Sequence, residues 1–272
     1  MKIRYKGITL NLKIIQRNDS GKYILFLHGF TGSINDWIDV TKHIDSRFNI
    51  AMLDFIGHGE SDSPSNESLY STESIIDQID LAISNITNEK IILAGYSMGG
   101  RAALSYAVKY PKKLLALILE STSPGITSEN LRKERITNDE ELAKFILENP
   151  IEKFINHWMN KDLFKSQKNL PKEKLKLILE NKSKNNKVGL ANSLRGFGSG
   201  KMPPLFENLK NIKIRTLLIS GELDEKFRNI NLHMSRLIQS SKVIVVKEAG
   251  HNTHLEREEE YIKEVNNFLN QF

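Results

Sequence analysis

The chain has 272 residues, of which 39% are hydrophobic, 8% aromatic and 26% charged. This balance is that of a folded globular protein and excludes a disordered chain, a collagen-like fibre and a coiled coil. The net charge of +6 allows nucleic acid, an anionic membrane surface or an acidic small molecule as the binding partner.

Residue usage narrows the possible cofactors, partners and location. Without cysteine, the chain has no disulfide, no thiolate metal ligand and no catalytic cysteine. The longest apolar run, 114–119, is far shorter than the roughly 20 residues of a membrane-spanning helix, and the N-terminus has no apolar signal region. No stacking-aromatic motif accompanies the basic residues. We therefore expect a cytoplasmic protein, monomeric or homo-oligomeric, that binds neither nucleic acid nor membrane.

Short apolar runs bounded by turn residues recur along the chain. Residues 2–16 alternate around Lys6-Gly7, which predicts an antiparallel hairpin. Continuous apolar runs are typical of strands buried on both faces of a parallel sheet. They lie at 23–27, 50–53, 91–94, 115–119, 216–219 and 243–246. Helical patterns separate them, so the predicted class is α/β, with a mostly parallel sheet and helices on both faces.

The alternation of strands and helices stops between residues 122 and 204. This segment has helical patterns at 140–147, 152–159 and 172–179, separated by prolines, and no convincing strand. An all-helical insertion in an α/β protein is the expected pattern of a cap over an active site. The predicted organisation is therefore a core of residues 1–121 and 205–272 with a helical cap of residues 122–204.

The strongest local motif is Gly95-Tyr96-Ser97-Met98-Gly99. It follows a predicted strand and precedes a predicted helix, which is the context of a nucleophile elbow. In such a turn the serine is exposed and the next backbone N–H is free to donate to an oxyanion. Ser97 is the candidate catalytic serine, and Met98 the candidate oxyanion donor.

A catalytic serine needs a histidine to take its proton and an acid to orient that histidine. Asp224 and Glu222 lie on the turn after the predicted strand 216–219, and His251 follows the strand 243–246. The order Ser, acid, His is the one expected for this arrangement. The predicted triad is Ser97, Asp224 and His251, with Glu222 as the competing acid. We expect no metal site, and His254 is interpreted as a surface or hydrogen-bonding residue.

Two further turns follow predicted strands. The first, Leu27-His28-Gly29-Phe30, lies where the second oxyanion donor is expected, and the backbone N–H of Phe30 is the candidate. The second runs from Asp54 to Ser61. It is interpreted as a structural turn stabilised by the Asp54 side chain, so His58 is assigned no chemistry.

These motifs together resemble the α/β-hydrolase fold over the whole chain. Five stretches resemble more narrowly the 2-succinyl-6-hydroxy-2,4-cyclohexadiene-1-carboxylate synthase family of menaquinone biosynthesis. They are residues 95–101, 120–125, 189–196, 221–227 and 249–256. The resemblance implies a lyase that eliminates pyruvate from a succinyl-enolpyruvyl-cyclohexene intermediate and needs no cofactor.

The resemblance also implies substrate-binding residues. A substrate with several carboxylates needs fixed cations, preferably guanidinium groups, which bind carboxylates in a fork geometry. The positions that the resemblance indicates are Tyr96, Arg101, Arg135, Trp158 and Arg195. One family arginine is missing, and Lys182 or Lys184 is the possible substitute.

Other activities use the same triad. A serine esterase or thioesterase would form an acyl-enzyme on Ser97, and a carbon–carbon bond hydrolase would admit water to a ketone. A binding protein could retain the fold without turnover. Only the arginines and the family-like stretches favour the lyase.

Overall fold

Eight strands form one sheet in the computed structural model, which describes residues 1–19 and 21–272. The strands are β1 Lys2–Tyr5, β2 Ile8–Ile15, β3 Tyr23–Leu27, β4 Asn49–Leu53, β5 Ile91–Tyr96, β6 Leu114–Glu120, β7 Arg215–Gly221 and β8 Ser241–Val246. Their order across the sheet is β1-β2-β4-β3-β5-β6-β7-β8. The pairs β1–β2 and β2–β4 are antiparallel and all the others parallel, which confirms the predicted α/β class.

The predicted N-terminal hairpin is present at one edge of this sheet. Lys6 and Gly7 connect β1 to β2 with φ angles of 44° and 84°. Two consecutive positive φ angles are typical of the two-residue turns whose twist matches that of the flanking strands.

Helices cover both faces of the sheet, as predicted. The α-helices are α1 Ile38–Lys42, α2 Thr72–Ser84, α3 Met98–Lys109, α4 Glu129–Glu148, α5 Ile151–Met159, α6 Lys172–Ser183, α7 Lys187–Phe197, α8 Phe206–Leu209, α9 Glu225–Leu237, α10 Thr253–Glu256 and α11 Glu258–Leu269. Short 3₁₀ helices occupy Ile34–Trp37, Glu67–Tyr70, Pro111–Lys113 and Asp162–Asn169.

The central strands are buried because consecutive side chains pack on opposite faces of the sheet. In β3, Leu25 packs in the cluster that contains Ile79 of α2, and Ile24 packs in the cluster that contains Val265 of α11. The prediction that the run 243–246 is buried on both faces is wrong. β8 is the edge strand, and 39% of the Val245 surface is exposed.

Between β6 and β7 the described residues form helices joined by loops, and no strand. The predicted helical stretches fall within α4, α5 and α6, and α4 begins eleven residues earlier than its pattern indicated. Phe154, Ile146 and Leu190 form a separate apolar cluster in this segment. The division into a 1–121 and 205–272 core and a 122–204 cap remains a prediction.

Among the described residues, no helix combines the length and the apolar character needed to cross a lipid bilayer.

The cluster between α4, α5 and α7 predicts a stability effect at Phe154, which is fully buried. Truncating a buried phenylalanine removes its burial and leaves a cavity, so Phe154→Ala should lower the free energy of unfolding by about 3–5 kcal/mol. Leu177→Ala, at a position 53% exposed, is the control and should change it by less than about 0.5 kcal/mol. Urea denaturation measures both, and equal losses would contradict the assigned cluster.

Candidate active site

Ser97 lies on a sharp turn between β5 and α3, as the motif predicts. Its φ and ψ angles are 51° and −105°, in a region that costs a residue other than glycine about 1–3 kcal/mol. The Ser97 N–H donates to the Glu120 carbonyl at 2.9 Å, and Thr122 Oγ1 donates to the Ser97 carbonyl at 2.8 Å. Bonds from the neighbouring strand therefore hold the strained turn in place.

The glycines of the motif are required by close backbone contacts. A Cβ on Gly99 would lie 2.2 Å from the Leu27 carbonyl oxygen, and one on Gly95 would lie 2.4 Å from the Gly99 carbonyl oxygen. Both distances are far below van der Waals contact, so a side chain at either position would displace α3 from the strands. The turn can keep its geometry only without these side chains.

The structure brings together the three predicted triad residues. His251 Nε2 accepts a hydrogen bond from Ser97 Oγ at 3.0 Å, and His251 Nδ1 donates to Asp224 Oδ2 at 2.6 Å. His251 and Asp224 are buried, with 1% and 8% of their surfaces exposed. Asp224 thus fixes the imidazole tautomer that leaves Nε2 free to take the serine proton.

The competing acid does not reach the histidine. Glu222 accepts a hydrogen bond from the backbone N–H of Glu248, so its carboxylate stabilises the neighbouring turn instead. Of the two interpretations of His254, the structure confirms the hydrogen-bonding residue and not the surface one, because the side chain is fully buried and its Nδ1 bonds to the Glu120 carboxylate at 2.7 Å.

The Asp54 turn is structural, as interpreted. The Asp54 carboxylate accepts hydrogen bonds from the backbone N–H groups of Ile34 and Glu60 and from the Asn11 amide. His58 is buried in the turn, and burial lowers its pKa well below the usual value, with the neighbouring His28 adding to the effect.

A cavity of about 240 Å³ opens in front of Ser97. Phe30 and Met98, the two candidate oxyanion residues, line it together with the serine. Other lining residues are Tyr96, Arg101, Thr122, Arg135, Trp158, Phe164, Ser193, Phe197, Lys226, Phe227 and His251. A larger open groove between α5 and α6 is lined by Lys184, the possible substitute for the missing arginine, but by none of the triad, oxyanion or other predicted substrate-binding residues.

Arg101 is a half-buried cation in the same cavity as the serine. Its Nη1 donates to the Phe197 carbonyl at 2.7 Å, and its guanidinium lies 4.9 Å from the centre of the Phe197 ring. Burial, and then repulsion from Arg135, lower the pKa of Arg101 to about 9, which leaves it charged at neutral pH. No carboxylate among the described residues lies within ion-pair distance of it. This charge is available for an anionic ligand.

Arg135 lines the cavity from α4 and forms an ion pair with a carboxylate on the same helix. Its Nε donates to Asp139 Oδ1 at 2.8 Å. Burial raises the pKa of Asp139, and the attraction of Arg135 opposes that shift. Because the pair uses Nε, the terminal nitrogens of Arg135 can still bind an anion.

Trp158 lies at the cavity wall as the resemblance implies. Its ring packs edge-on against Phe30 at 5.3 Å between centres. Its Nε1–H is buried and has no acceptor in the described part of the chain. An unpaired buried donor is costly, so a ligand acceptor at this point would satisfy it.

Arg195 is not among the described residues that line the cavity, so the structure gives no support to the expected substrate contact. Its Nε and Nη2 bind the two Glu140 carboxylate oxygens at 2.8 and 2.9 Å. Lys182 is likewise absent from the lining residues; it donates to Thr31 Oγ1 at 3.1 Å, and burial lowers its pKa. The exposed Lys184 bonds to Asn181.

Sequence reasoning missed several lining residues. Lys226 could have been found, because it lies two positions after Asp224 at the start of α9. Phe227 ends the family-like stretch 221–227 and could have been found in the same way, whereas Phe164 gave no signal. Both rings pack near His251, at 4.6 Å for Phe227 and 6.2 Å for Phe164 between centres. No group of three or more His, Asp or Glu side chains in the described residues is arranged to hold a metal ion.

Comparison with known proteins agrees with this geometry. A family model described as the alpha/beta hydrolase fold matches residues 22–258. The chain belongs to this alpha/beta hydrolase family. An esterase from Thermogutta terrifontis shares the fold, with a TM-score of 0.88, 23% identity and coverage of 100% of this chain and 98% of the esterase.

Narrower similarity points to one group within the family. A Bacillus subtilis protein named "Putative 2-succinyl-6-hydroxy-2,4-cyclohexadiene-1-carboxylate synthase" is 40% identical over 92% of this chain and 91% of its own length. A 2-succinyl-6-hydroxy-2,4-cyclohexadiene-1-carboxylate synthase of an Enterobacter species is 28% identical over 86% of each chain. The structure of MenH from S. aureus has a TM-score of 0.92 and 34% identity, covering 96% of this chain and 98% of that one.

The triad geometry predicts different outcomes for the two acids on one turn. Asp224→Asn removes the charge that stabilises the His251 imidazolium and should slow fluorophosphonate labelling of Ser97 by about 10³–10⁴-fold. Glu222→Gln should label at close to the parent rate, since among the described residues the Glu222 carboxylate is bonded to the Glu248 backbone N–H and not to His251. Labelling is followed by intact-protein mass spectrometry, with Ser97→Ala as the blank. Equal rates for the two acid variants would reject Asp224 as the orienting acid.

Proposed function

We propose that this protein is a lyase of menaquinone biosynthesis that acts in the cytoplasm on an acidic small molecule. It eliminates pyruvate from 2-succinyl-5-enolpyruvyl-6-hydroxy-3-cyclohexene-1-carboxylate to give 2-succinyl-6-hydroxy-2,4-cyclohexadiene-1-carboxylate. The names of its relatives and the match to MenH support this reaction. The single structural observation that carries it is Arg101, a half-buried guanidinium without a carboxylate partner among the described residues, in the same cavity as Ser97.

The triad supplies the base. His251, held by Asp224, takes the Ser97 proton as Ser97 Oγ removes the proton alpha to the succinyl carbonyl of the substrate. The electron pair of that carbon–hydrogen bond forms an enolate. The enolate then collapses into the ring, the carbon–oxygen bond to the enolpyruvyl group breaks, and the released enolpyruvate takes up a proton to become pyruvate. No bond forms between Ser97 and the substrate.

The enolate oxygen carries the charge that develops in this step. Backbone N–H groups of Phe30 and Met98 are the proposed donors to it, since both residues line the cavity with Ser97. Donors aimed at a developing oxyanion are typically worth about 3–4 kcal/mol each in the barrier. They explain how a weak base such as a serine can remove a carbon-bound proton.

Cations on the cavity wall bind the carboxylates. The positive charge of Arg135 repels that of Arg101 and so contributes to the lowered pKa of Arg101. Two cations held close together are favourable when an anion lies between them.

Lys226 lines the same cavity close to His251 and has no acidic partner in the described residues. The Trp158 Nε1–H adds a neutral donor. We propose that these four residues, with Tyr96 and the cap of residues 122–204, orient the substrate and exclude water.

A serine esterase is the second candidate, because the Ser97–His251–Asp224 geometry also suits attack by Ser97. The two functions differ in the intermediate. An esterase forms an acyl-Ser97 species and turns over simple esters, whereas the lyase needs no covalent species. The unpartnered, half-buried charge of Arg101 favours the lyase, since a neutral ester has no group to neutralise it.

A coupled assay tests the proposed function directly. The succinyl-enolpyruvyl intermediate is generated enzymatically, and pyruvate release and the new diene absorbance are followed together. We expect equal amounts of the two products, formed faster than in the spontaneous reaction, and loss of the acceleration in Ser97→Ala. No acceleration by the parent protein, together with rapid turnover of p-nitrophenyl acetate, would replace the lyase by the esterase.

Arg101 predicts a separation of activity from stability. Arg101→Gln removes a charge-assisted contact to substrate and should lower kcat/KM for elimination by about 100-fold or more. It also removes a half-buried charge that has no carboxylate partner among the described residues, so the melting temperature should stay the same or rise.

Arg195→Gln is the matched control on the cap. Arg195 pairs with Glu140 outside the cavity lining, so the variant should retain kcat/KM within about threefold. Enzyme kinetics and thermal unfolding of both variants decide the matter. A normal kcat/KM in Arg101→Gln would remove Arg101 from the binding site.

A further inference from the structure

A second carboxylate–imidazole pair lies behind the triad, and the mechanism above does not use it. Glu120 ends β6 and His254 lies in α10, and both side chains are fully buried. Glu120 Oε2 accepts a hydrogen bond from His254 Nδ1 at 2.7 Å. Taking a carboxylate and an imidazole out of water is costly unless their contacts are well made, so the pair needs an explanation.

Glu120 joins the two segments that carry Ser97 and His251. Its backbone carbonyl accepts the Ser97 N–H at 2.9 Å. Its side-chain Oε1 accepts from Thr253 Oγ1 at 2.6 Å and from the His254 backbone N–H at 3.1 Å. His251 lies two residues before Thr253. One residue therefore contacts the nucleophile turn through its backbone and the histidine segment through its side chain.

The sheet topology places Glu120 between these segments. β6 lies between β5, which leads to Ser97, and β7, which leads to Asp224. Glu120 pairs in register with Tyr96 on one side and Ile219 on the other. A displacement at the carboxyl end of β6 would therefore reach the serine and the acid turn together.

The contacts define the charge of the pair. The three side-chain hydrogen bonds of Glu120 to described residues all come from donors, which is the pattern of an ionised carboxylate. His254 Nε2 is buried, has no partner among the described residues, and its ring stacks on Trp37 at 4.0 Å between centres. A proton on this nitrogen would be an unsatisfied buried donor, so the imidazole is neutral with its proton on Nδ1.

The nearby ionisable groups are also acids. The pKa of Tyr96 is raised well above its usual value by burial and then by the negative charges of Glu120 and Glu256, with smaller effects of Asp36 and Asp224. Burial likewise raises the pKa of Glu256, to which Glu120 contributes. Without a cation to anchor it, Glu120 depends on its three donors for its position.

We propose that Glu120 is a positioning residue, which sets the Ser97–His251 contact by binding the nucleophile turn and the 253–254 segment at once. The inference deepens the proposed function, because the same contact would prepare Ser97 to act as the base. It does not require that function, since the contact controls any chemistry at Ser97.

Two substitutions of His254 separate hydrogen bonding from packing. In His254→Asn, the side-chain amide nitrogen stands where Nδ1 stood and still donates to Glu120. In His254→Phe, the ring still stacks on Trp37 but the donor is lost. We expect the Asn variant to keep the rate of fluorophosphonate labelling of Ser97 within about threefold, and the Phe variant to lose tenfold or more.

Glu120→Gln tests the carboxylate itself. Its amide nitrogen would face the donors of Thr253 or His254, so the link should open although the side chain keeps its size. We expect labelling and kcat for elimination to fall about tenfold or more with KM unchanged, because the carboxylate-binding cations are not altered. The deshielded NMR signal of the His251 Nδ1 proton should move or broaden.

Two substitutions of Thr253 perturb the same contact less strongly and serve as the test if the Glu120 variant fails to fold. Thr253→Val removes the hydroxyl donor and Thr253→Ser keeps it, so the Val variant should label several-fold more slowly and the Ser variant at the parent rate. Thermal unfolding is measured for every variant.

Two results would overturn the proposal. One is parent-like labelling in a folded Glu120→Gln protein, or in Thr253→Val where Glu120→Gln does not fold. The other is a labelling rate that survives in His254→Phe and is lost in His254→Asn, which would assign the effect to ring packing. Because labelling needs no natural substrate, absence of pyruvate release by the parent would reject the proposed function and leave this test intact.

Discussion

The strained backbone at Ser97 is the constraint on which the site depends. A φ angle of 51° turns the chain so that the serine side chain meets His251 Nε2 at 3.0 Å. The conformation persists because the Ser97 N–H donates to the Glu120 carbonyl and the Ser97 carbonyl accepts from Thr122 Oγ1. Gly99 allows α3 to approach the Leu27 carbonyl. The strain is thus balanced by contacts from β3 and β6, strands whose own positions are set by the buried sheet.

Charge is distributed unevenly around this turn. Arg101, Arg135 and Lys226 line the cavity on the substrate side. Behind the serine lie the buried carboxylates of Asp224 and Glu120. An anionic substrate is attracted to the first group, and the imidazolium formed during proton transfer is stabilised by Asp224. The arrangement suits a reaction in which an anion binds and a proton moves away from it toward the protein interior.

The sequence was sufficient for features encoded locally. The elbow is recognisable because Gly95, Ser97 and Gly99 lie between a strand pattern and a helix pattern, and parallel strands bring their carboxyl ends to one edge. The choice between Asp224 and Glu222 was less secure, because both lie on one turn and only the backbone direction selects the residue that meets His251. The structure makes that selection through a 2.6 Å bond.

Side-chain contacts between residues that are distant in the chain could not be predicted from the sequence. Arg101 and Arg195 have the same side chain and both lie in family-like stretches. Arg195 pairs with Glu140 across two helices, whereas Arg101 contacts the Phe197 carbonyl, the Phe197 ring and the Met202 sulfur. No sequence pattern near His254 predicts Glu120 as its partner, because the two residues are 134 positions apart. A partner at such separation is fixed by the sheet order, so the charge state and role of either residue follow only from the folded chain.

A triad of this kind does not by itself select between attack and proton abstraction. Ser97 Oγ, once His251 takes its proton, can form a bond to a carbonyl carbon or remove a proton next to it. The outcome depends on which substrate atom is held against the oxygen, and this is decided by the groups that bind the rest of the substrate. In this cavity those groups are cations, of which Arg101 is half-buried and without a carboxylate partner among the described residues. The selectivity for elimination therefore resides in the anion-binding wall, while the triad and its support by Glu120 supply the reactivity.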